Sequence, residues 1–398
     1  MTDATAGRGA PLDGVRVADF SRVLAGPYAT MMLADFGADV IKIESPGGDD
    51  TRGWLPPVDA QGESTYFGSV NRNKRSVVCD FTTEAGLAEA RRLAESADVV
   101  IENFRPGVMA RFGLDYDRLR AANPGLVYCS ITGFGRGAGA RLPGYDLLVQ
   151  AVGGLMSVTG QPEGEPTKVG VALVDVLTGL NAVSGILLSL RSRDLGAGEG
   201  SLVEVDLMTT LLSALTNQAA GTLATGRAPG RMGNAHPSIA PYELFRAADR
   251  DLVIAVGNDR QFRTLVRLLG APDLAGDERF LDNAARVRNR DGLKPALEEL
   301  LRAAPASRWV EMLADAGVPA GLVNSIDEAF AFAAELGLDA VVELQGAAGG
   351  RRSRQVANPI HLAGRPPAYR LPPPRLGEHG GADWLHPRPA PPTNEGQS

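Results

Sequence analysis

Asp175 sits between two apolar runs of different character. Val169-Gly170-Val171-Ala172-Leu173-Val174 reads as a strand, and Val176-Leu177-Thr178-Gly179-Leu180 reads as the start of a helix that runs to about Ser192. A carboxylate at such a junction is either an N-cap or a chemical tool. The positive end of a helix dipole favours its ionised form and leaves it ready to attack an electrophile. Basic residues supply a second signal. Arg52, the run Arg72-Asn73-Lys74-Arg75, Arg105 and Arg111 punctuate segments rich in Gly, Asn and Pro, which read as loops. Only four of the 40 basic residues are lysines (Lys42, Lys74, Lys168 and Lys294), and Lys74 falls in that run. In a chain of net charge −7, basic loops suit a small polyanion and argue against nucleic acid as the partner.

Other chemistries find little support. Cys79 and Cys129 lie far apart, and His236, His361, His379 and His386 show no ligand spacing, so neither a disulfide framework nor a bound metal is expected. Gly133-Phe134-Gly135-Arg136-Gly137-Ala138 imitates a dinucleotide fingerprint, but Arg141-Leu142-Pro143-Gly144 follows where a helix should begin. Gly-x-Ser-x-Gly is absent. No stretch reads as the roughly 20 apolar residues of a membrane span, and the start lacks a signal-peptide pattern, so a cytoplasmic protein with no membrane partner is expected.

The elements that must position these residues alternate. Strands are expected at Val15–Phe20, Asp39–Glu44, Ser76–Phe81, Asp98–Glu102 and Leu126–Thr132, with an amphipathic helix at Pro27–Phe36 and another helix at Thr83–Ser96. That order is α/β and implies a parallel sheet with helices on both faces. Leu202 to Gly221 reads as mixed strand and helix, and the Gly- and Pro-rich segment from Gly226 to Ala240 reads as a boundary. A smaller α/β unit follows, with a strand at Leu252–Val256 and helices around Phe262, Leu297 and Trp309. The tail from Pro387 to Ser398 is expected to be disordered.

Taken in order, the motifs resemble the family III CoA-transferases, the group that includes formyl-CoA transferase, carnitine CoA-transferase and the α-methylacyl-CoA racemases. The matching pieces include Ala25-Gly26-Pro27, Leu33 to Glu44, Asn71-Arg72-Asn73-Lys74-Arg75-Ser76, Glu102-Asn103-Phe104-Arg105-Pro106-Gly107, Gly144-Tyr145-Asp146 and Leu376-Gly377-Glu378-His379. The resemblance spans Pro11 to about Leu385, and short independent matches rarely fall in sequence over such a length.

The resemblance implies what the basic loops bind. Coenzyme A, as substrate and not as a resident cofactor, would be held by Asn71, Lys74, Asn103, Phe104 and Arg111, with Arg75 and Arg105 beside them. Ala25, Thr132, Gly133 and Phe134 would line the same cleft, and Leu24, Tyr145, Gly233, Asn234 and His236 would approach the acyl group. Asp175 falls at the family's catalytic aspartate. It would carry CoA from an acyl-CoA donor to a small carboxylic acid through a mixed anhydride and an aspartyl-CoA thioester. The racemases resemble a version of Gly144-Tyr145-Asp146 with histidine in the middle. Tyr145 is a phenol and a poor base at neutral pH, which favours transfer over racemisation, the alternative, while a CoA-binding protein without turnover is a third reading. Leu24 stands where formyl-CoA transferase has glutamine, and no triple-glycine loop is found, which argues against oxalate and formate. The implied fold is a large Rossmann-like domain made from residues 1–225 and a return segment 331–386, with a small α/β domain at 226–330 between them. Segments near 226–240 and 325–350 would serve as linkers, and two subunits would form an interlocked, ring-like homodimer.

Overall fold

The structure, a computed structural model, describes residues 9–346 and 351–386; the tail expected to be disordered lies outside the described residues. Its contacts divide the chain into two compact units. The first comprises residues up to Gly153, Val169–Ala220 and the chain from Asp339 onward, and the second comprises Gly154–Lys168 with Gly221–Leu338. Residues 154–168 therefore leave the large domain to which the sequence reading assigned them.

The first unit is built on β1 (Arg16–Asp19), β2 (Asp39–Glu44), β3 (Lys74–Val78), β4 (Val99–Glu102), β5 (Val127–Thr132) and β6 (Leu202–Asp206). All five pairings are parallel, in the order β3-β2-β1-β4-β5-β6. Every residue of β1, β2 and β4 is buried, as a parallel sheet covered on both faces requires. The strand order reverses between β1 and β4. Loops leaving the carboxyl ends of those two strands diverge there and open a crevice, the usual place for a ligand in such sheets.

Helix Ala25–Asp35 follows β1 and is buried at ten of its eleven positions, with only Tyr28 partly open. The sequence reading made it amphipathic, but it lies against helix Leu173–Leu195 as well as the sheet, so no face is left for water. Gly179 makes that packing possible, because a Cβ there would stand 2.7 Å from the Ala25 carbonyl oxygen. The expected strand at 169–174 does not form. Residues 169–172 are irregular and the helix begins at Leu173, two residues before Asp175. At 23 residues this helix is long and apolar enough by length and composition to cross a membrane, contrary to the expectation that no stretch of the chain would be.

A hairpin of β10 (Val341–Gln345) and β11 (Arg352–Val356) completes the first unit. In the second unit, β7 (Tyr242–Arg246), β8 (Asp251–Ala255) and β9 (Ala320–Leu322) form an antiparallel sheet covering a core around Phe262, Leu297 and Trp309. Residues 226–240 form neither helix nor strand. The segment 325–350 is no plain linker, since helix Ile326–Glu335 starts there on a capping box. The Glu328 carboxylate accepts from the Ser325 amide at 2.8 Å and the Ser325 hydroxyl from the Glu328 amide.

Candidate active site

Asp175 occupies the first turn of helix Leu173–Leu195, whose N-cap Ala172 offers no side-chain acceptor. The missing cap comes from elsewhere in the chain. Asp146, the first residue of helix Asp146–Val152, accepts from the amides of Val174 (2.8 Å) and Asp175 (3.3 Å) through Oδ1, and from Gln150 Nε2 (2.6 Å) through Oδ2. Gln150 Oε1 in turn accepts from the Val169 amide at 2.9 Å, so one turn of helix 146–152 fixes the approach to Asp175. This arrangement has an electrostatic consequence. Burial, and then the neighbouring Asp146 carboxylate, push the Asp175 carboxyl up to about 7. The helix dipole expected to favour its charged form is outweighed by desolvation and a like charge.

Two cavities meet at this carboxyl. One is lined by Ala25, Thr132, Gly133 and Phe134; the other, of about 340 Å³, by Arg22, Val23, Leu24, Asp50 and Tyr145; and Asp175, Asn103, Phe104, Arg105 and Gly144 line both. They lie at the carboxyl ends of β1, β4 and β5. The Phe104 loop is fixed by Glu102, the buried last residue of β4, which accepts from the Phe104 amide at 2.8 Å; burial pushes its carboxyl above the usual range. Gly133 and Gly144 let the loop after β5 fold back on itself, since a Cβ on Gly133 would stand 2.4 Å from the Gly144 Cα.

The remaining predicted residues fall elsewhere. Lys74 is the first residue of β3 and fully buried. Its Nζ donates to Asp19 Oδ2 (3.1 Å), the Pro27 carbonyl (2.9 Å) and Asn71 Oδ1 (2.9 Å), and Asn71 is itself buried and donates to the Phe67 carbonyl. Burial pulls the Lys74 ammonium down to about 8 against the attraction of Asp19. Arg72 pairs with Asp35, and Arg75 pairs with Asp39 and the Asp383 carbonyl. The basic run thus forms an ion network, in which each cation faces an aspartate from β1, β2 or helix 25–35. Arg111 is exposed and lines neither cavity. Gly233, Asn234 and His236 belong to the second unit, where His236 Nδ1 accepts from the Ser238 amide (3.1 Å) and Asn234 lines a cavity with Tyr242 and Val253. Sequence reasoning missed Arg22, Val23 and Asp50. Their position in the loops that follow β1 and β2, at the carboxyl edge of the expected sheet, was the available signal. The Tyr66 phenol is pushed up to about 12 by burial and then by the charges of Asp175, Asp146 and Asp49, and it lines neither cavity. Among the described residues no His, Cys, Asp and Glu cluster has the makings of a metal site.

A parallel sheet with a carboxylate at its switch-point crevice defines an α/β protein built for a small ligand, and comparison with known proteins supplies the class. Residues 12–380 match the model of CoA-transferase family III, and the chain belongs to that family. It is similar to a succinate–glutarate CoA-transferase of Agrobacterium fabrum, 45% identical over 395 residues that cover 95% of this chain and 96% of that one. An acetyl-CoA:oxalate CoA-transferase of Acetobacter aceti is 41% identical over 96% of this chain and 97% of its own length. Among solved structures, a CAIB/BAIF family protein from Brucella suis superposes with a TM-score of 0.84 at 44% identity, covering 94% of this chain and 98% of that one.

Proposed function

We propose that this protein transfers coenzyme A from an acyl-CoA thioester to a free carboxylic acid, with Asp175 as covalent nucleophile. The observation that carries the reading is the placement of Asp175 between two cavities in a family III CoA-transferase. The two cavities would take the thiol end of CoA and the acid, with Arg105, which lines both, as the positive charge beside them.

The ionised Asp175 attacks the thioester carbonyl; the C–S bond breaks, CoA leaves as a thiolate and a mixed anhydride remains. The thiolate attacks the aspartyl carbonyl, expelling the donor acid as its carboxylate and leaving an aspartyl-CoA thioester. The acceptor carboxylate displaces the thiolate from that carbonyl, and the thiolate then attacks the acceptor's acyl carbonyl and frees Asp175. Each step exchanges one activated acyl group for another, so no step is steeply uphill. Water must stay out, since it would hydrolyse the anhydride, and the partial burial of Asp175 serves that end.

Two similar proteins are named for succinate, glutarate and oxalate, which supports small dicarboxylic acids as substrates and weakens the argument from Leu24 against oxalate. The test is a panel of acyl-CoA donors crossed with small acids, with CoA exchange read by mass and hydroxylamine used to trap the intermediate. Exchange with a hydroxamate on Asp175 is expected. CoA binding without exchange across the panel would leave a binding protein, and α-deuterium uptake by a 2-methylacyl-CoA in the absence of acceptor acid would favour the racemase.

The reading extends to a homodimer. Leu180, Leu187, Leu188 and Leu195 form an exposed apolar stripe along helix 173–195, a surface suited to a second copy. If the two chains are interlocked, differently tagged dimers should exchange subunits over hours or longer by native mass spectrometry, and exchange within minutes would rule out threading.

A further inference from the structure

The turn that leads from β1 into helix 25–35 is held from outside at the Ser21 carbonyl, at both backbone polar groups of Arg22 and at the Val23 amide. Lys42 Nζ donates to the Ser21 carbonyl at 2.8 Å. Asn103 takes both groups of the Arg22 residue: its Oδ1 accepts from the Arg22 amide at 2.8 Å and its Nδ2 donates to the Arg22 carbonyl at 2.7 Å. Asp49 accepts from the Val23 amide with both oxygens at 3.2 Å, and is itself fixed by Lys42 at 3.0 Å and by Thr51. The residue so held is in an unfavourable conformation. Val23 has φ of +69°, in the left-handed region where a β-branched side chain is an outlier. Leu24 and Ala25 follow at once and line the two cavities beside Asp175.

We propose that Asn103, together with Asp49 and Lys42, is a positioning residue that clamps Val23 in its left-handed conformation and so sets the start of helix 25–35 against Asp175. This assigns the Asn103 carboxamide a role other than the CoA contact implied by its motif. Its carbonyl and amide both serve the peptide of Arg22, 81 residues away in sequence. Three anchors, Lys42 on β2 and Asp49 and Asn103 in the loops that follow β2 and β4, hold three successive residues, Ser21, Arg22 and the strained Val23, which is more than a turn needs in order to exist. They are what is needed if the turn must not relax, because a small displacement of a reacting group costs far more in rate than in stability. The functional half of this inference rests on Asp175 as the nucleophile.

Its test separates the clamp from the chemistry. In Asn103→Ala, amide hydrogen exchange at Arg22 and Val23 should speed up while the rest of the sheet stays protected. The turnover number should fall about tenfold with the Michaelis constant for acyl-CoA changed by less than about threefold. Adding Val23→Gly to that variant should recover most of the lost turnover, since glycine adopts the left-handed conformation without being held. Asn103→Asp keeps the acceptor for the Arg22 amide and loses the donor; its exchange at Arg22 and Val23 should be faster than wild type and its turnover lower, and it serves in place of the alanine variant where that one folds poorly. Unchanged exchange at Arg22 and Val23 would overturn the clamp. A raised Michaelis constant at intact turnover would make Asn103 a substrate ligand, and a double variant no faster than the single one would remove strain from the account. Asp175→Asn measured in parallel tells a failure of the nucleophile reading from a failure of the clamp, because the exchange experiment does not depend on turnover.

Discussion

Asp175→Asn is expected to reduce CoA transfer on the order of 10⁴-fold or more, with CoA binding held within about tenfold. Asparagine keeps the size of the side chain and removes the nucleophilic oxygen charge, so the loss reads chemistry and not packing. The wild-type rate should itself depend on pH. With the carboxyl at about 7, the fraction ionised falls as pH drops, and transfer should decline below neutrality rather than near pH 4, where an ordinary aspartate titrates. Stability should move the opposite way. A carboxyl whose folded value lies above its unfolded one contributes stability below the unfolded value and loses it as pH rises through about 7. The asparagine variant escapes that loss, so its melting temperature should exceed that of wild type by more at pH 8 than at pH 5. Near-normal turnover in Asp175→Asn would end the covalent mechanism, and an equal gain at both pH values would show that the carboxyl is not raised.

Lys74→Met is expected to destabilise the fold by about 3–5 kcal/mol, because it strands the fully buried carboxylate of Asp19 without its cation. Asp19 is held below the usual carboxylate range, against its burial, by Lys74 and Lys42 and by the Ser21 and Thr30 hydroxyls. Adding Asp19→Asn to the variant should recover part of the loss. Denaturant midpoints measure both. What should not change greatly is the Michaelis constant for acyl-CoA in the protein that remains folded. A stable Lys74→Met enzyme with a Michaelis constant raised several-fold would return Lys74 to the phosphate-binding role that its motif implies and would show the buried geometry to be incomplete.

The amino-acid sequence alone determined the alternation of strands and helices, the helix start that carries Asp175, though not the strand expected before it, and the family. Each rests on local pattern or on order along the chain, and none needs a contact between distant residues. Strand ends were legible to within two or three residues, since the turn residues that bound them carry their own signal. Tertiary structure decided what each charge is for. Arg72-Asn73-Lys74-Arg75 has the composition of a phosphate cradle, and only Asp35, Asp19 and Asp39, all more than 30 residues away in sequence, turn it into an ion network. The dipole at Asp175 was legible, but Asp146, which caps its helix from 29 residues away and helps to hold its carboxyl near 7, was not. The strain at Val23 is of the same kind. A valine in sequence carries no sign of positive φ, because a β-branched residue takes that conformation only where distant side chains, here Asn103, Asp49 and Lys42, hold it there.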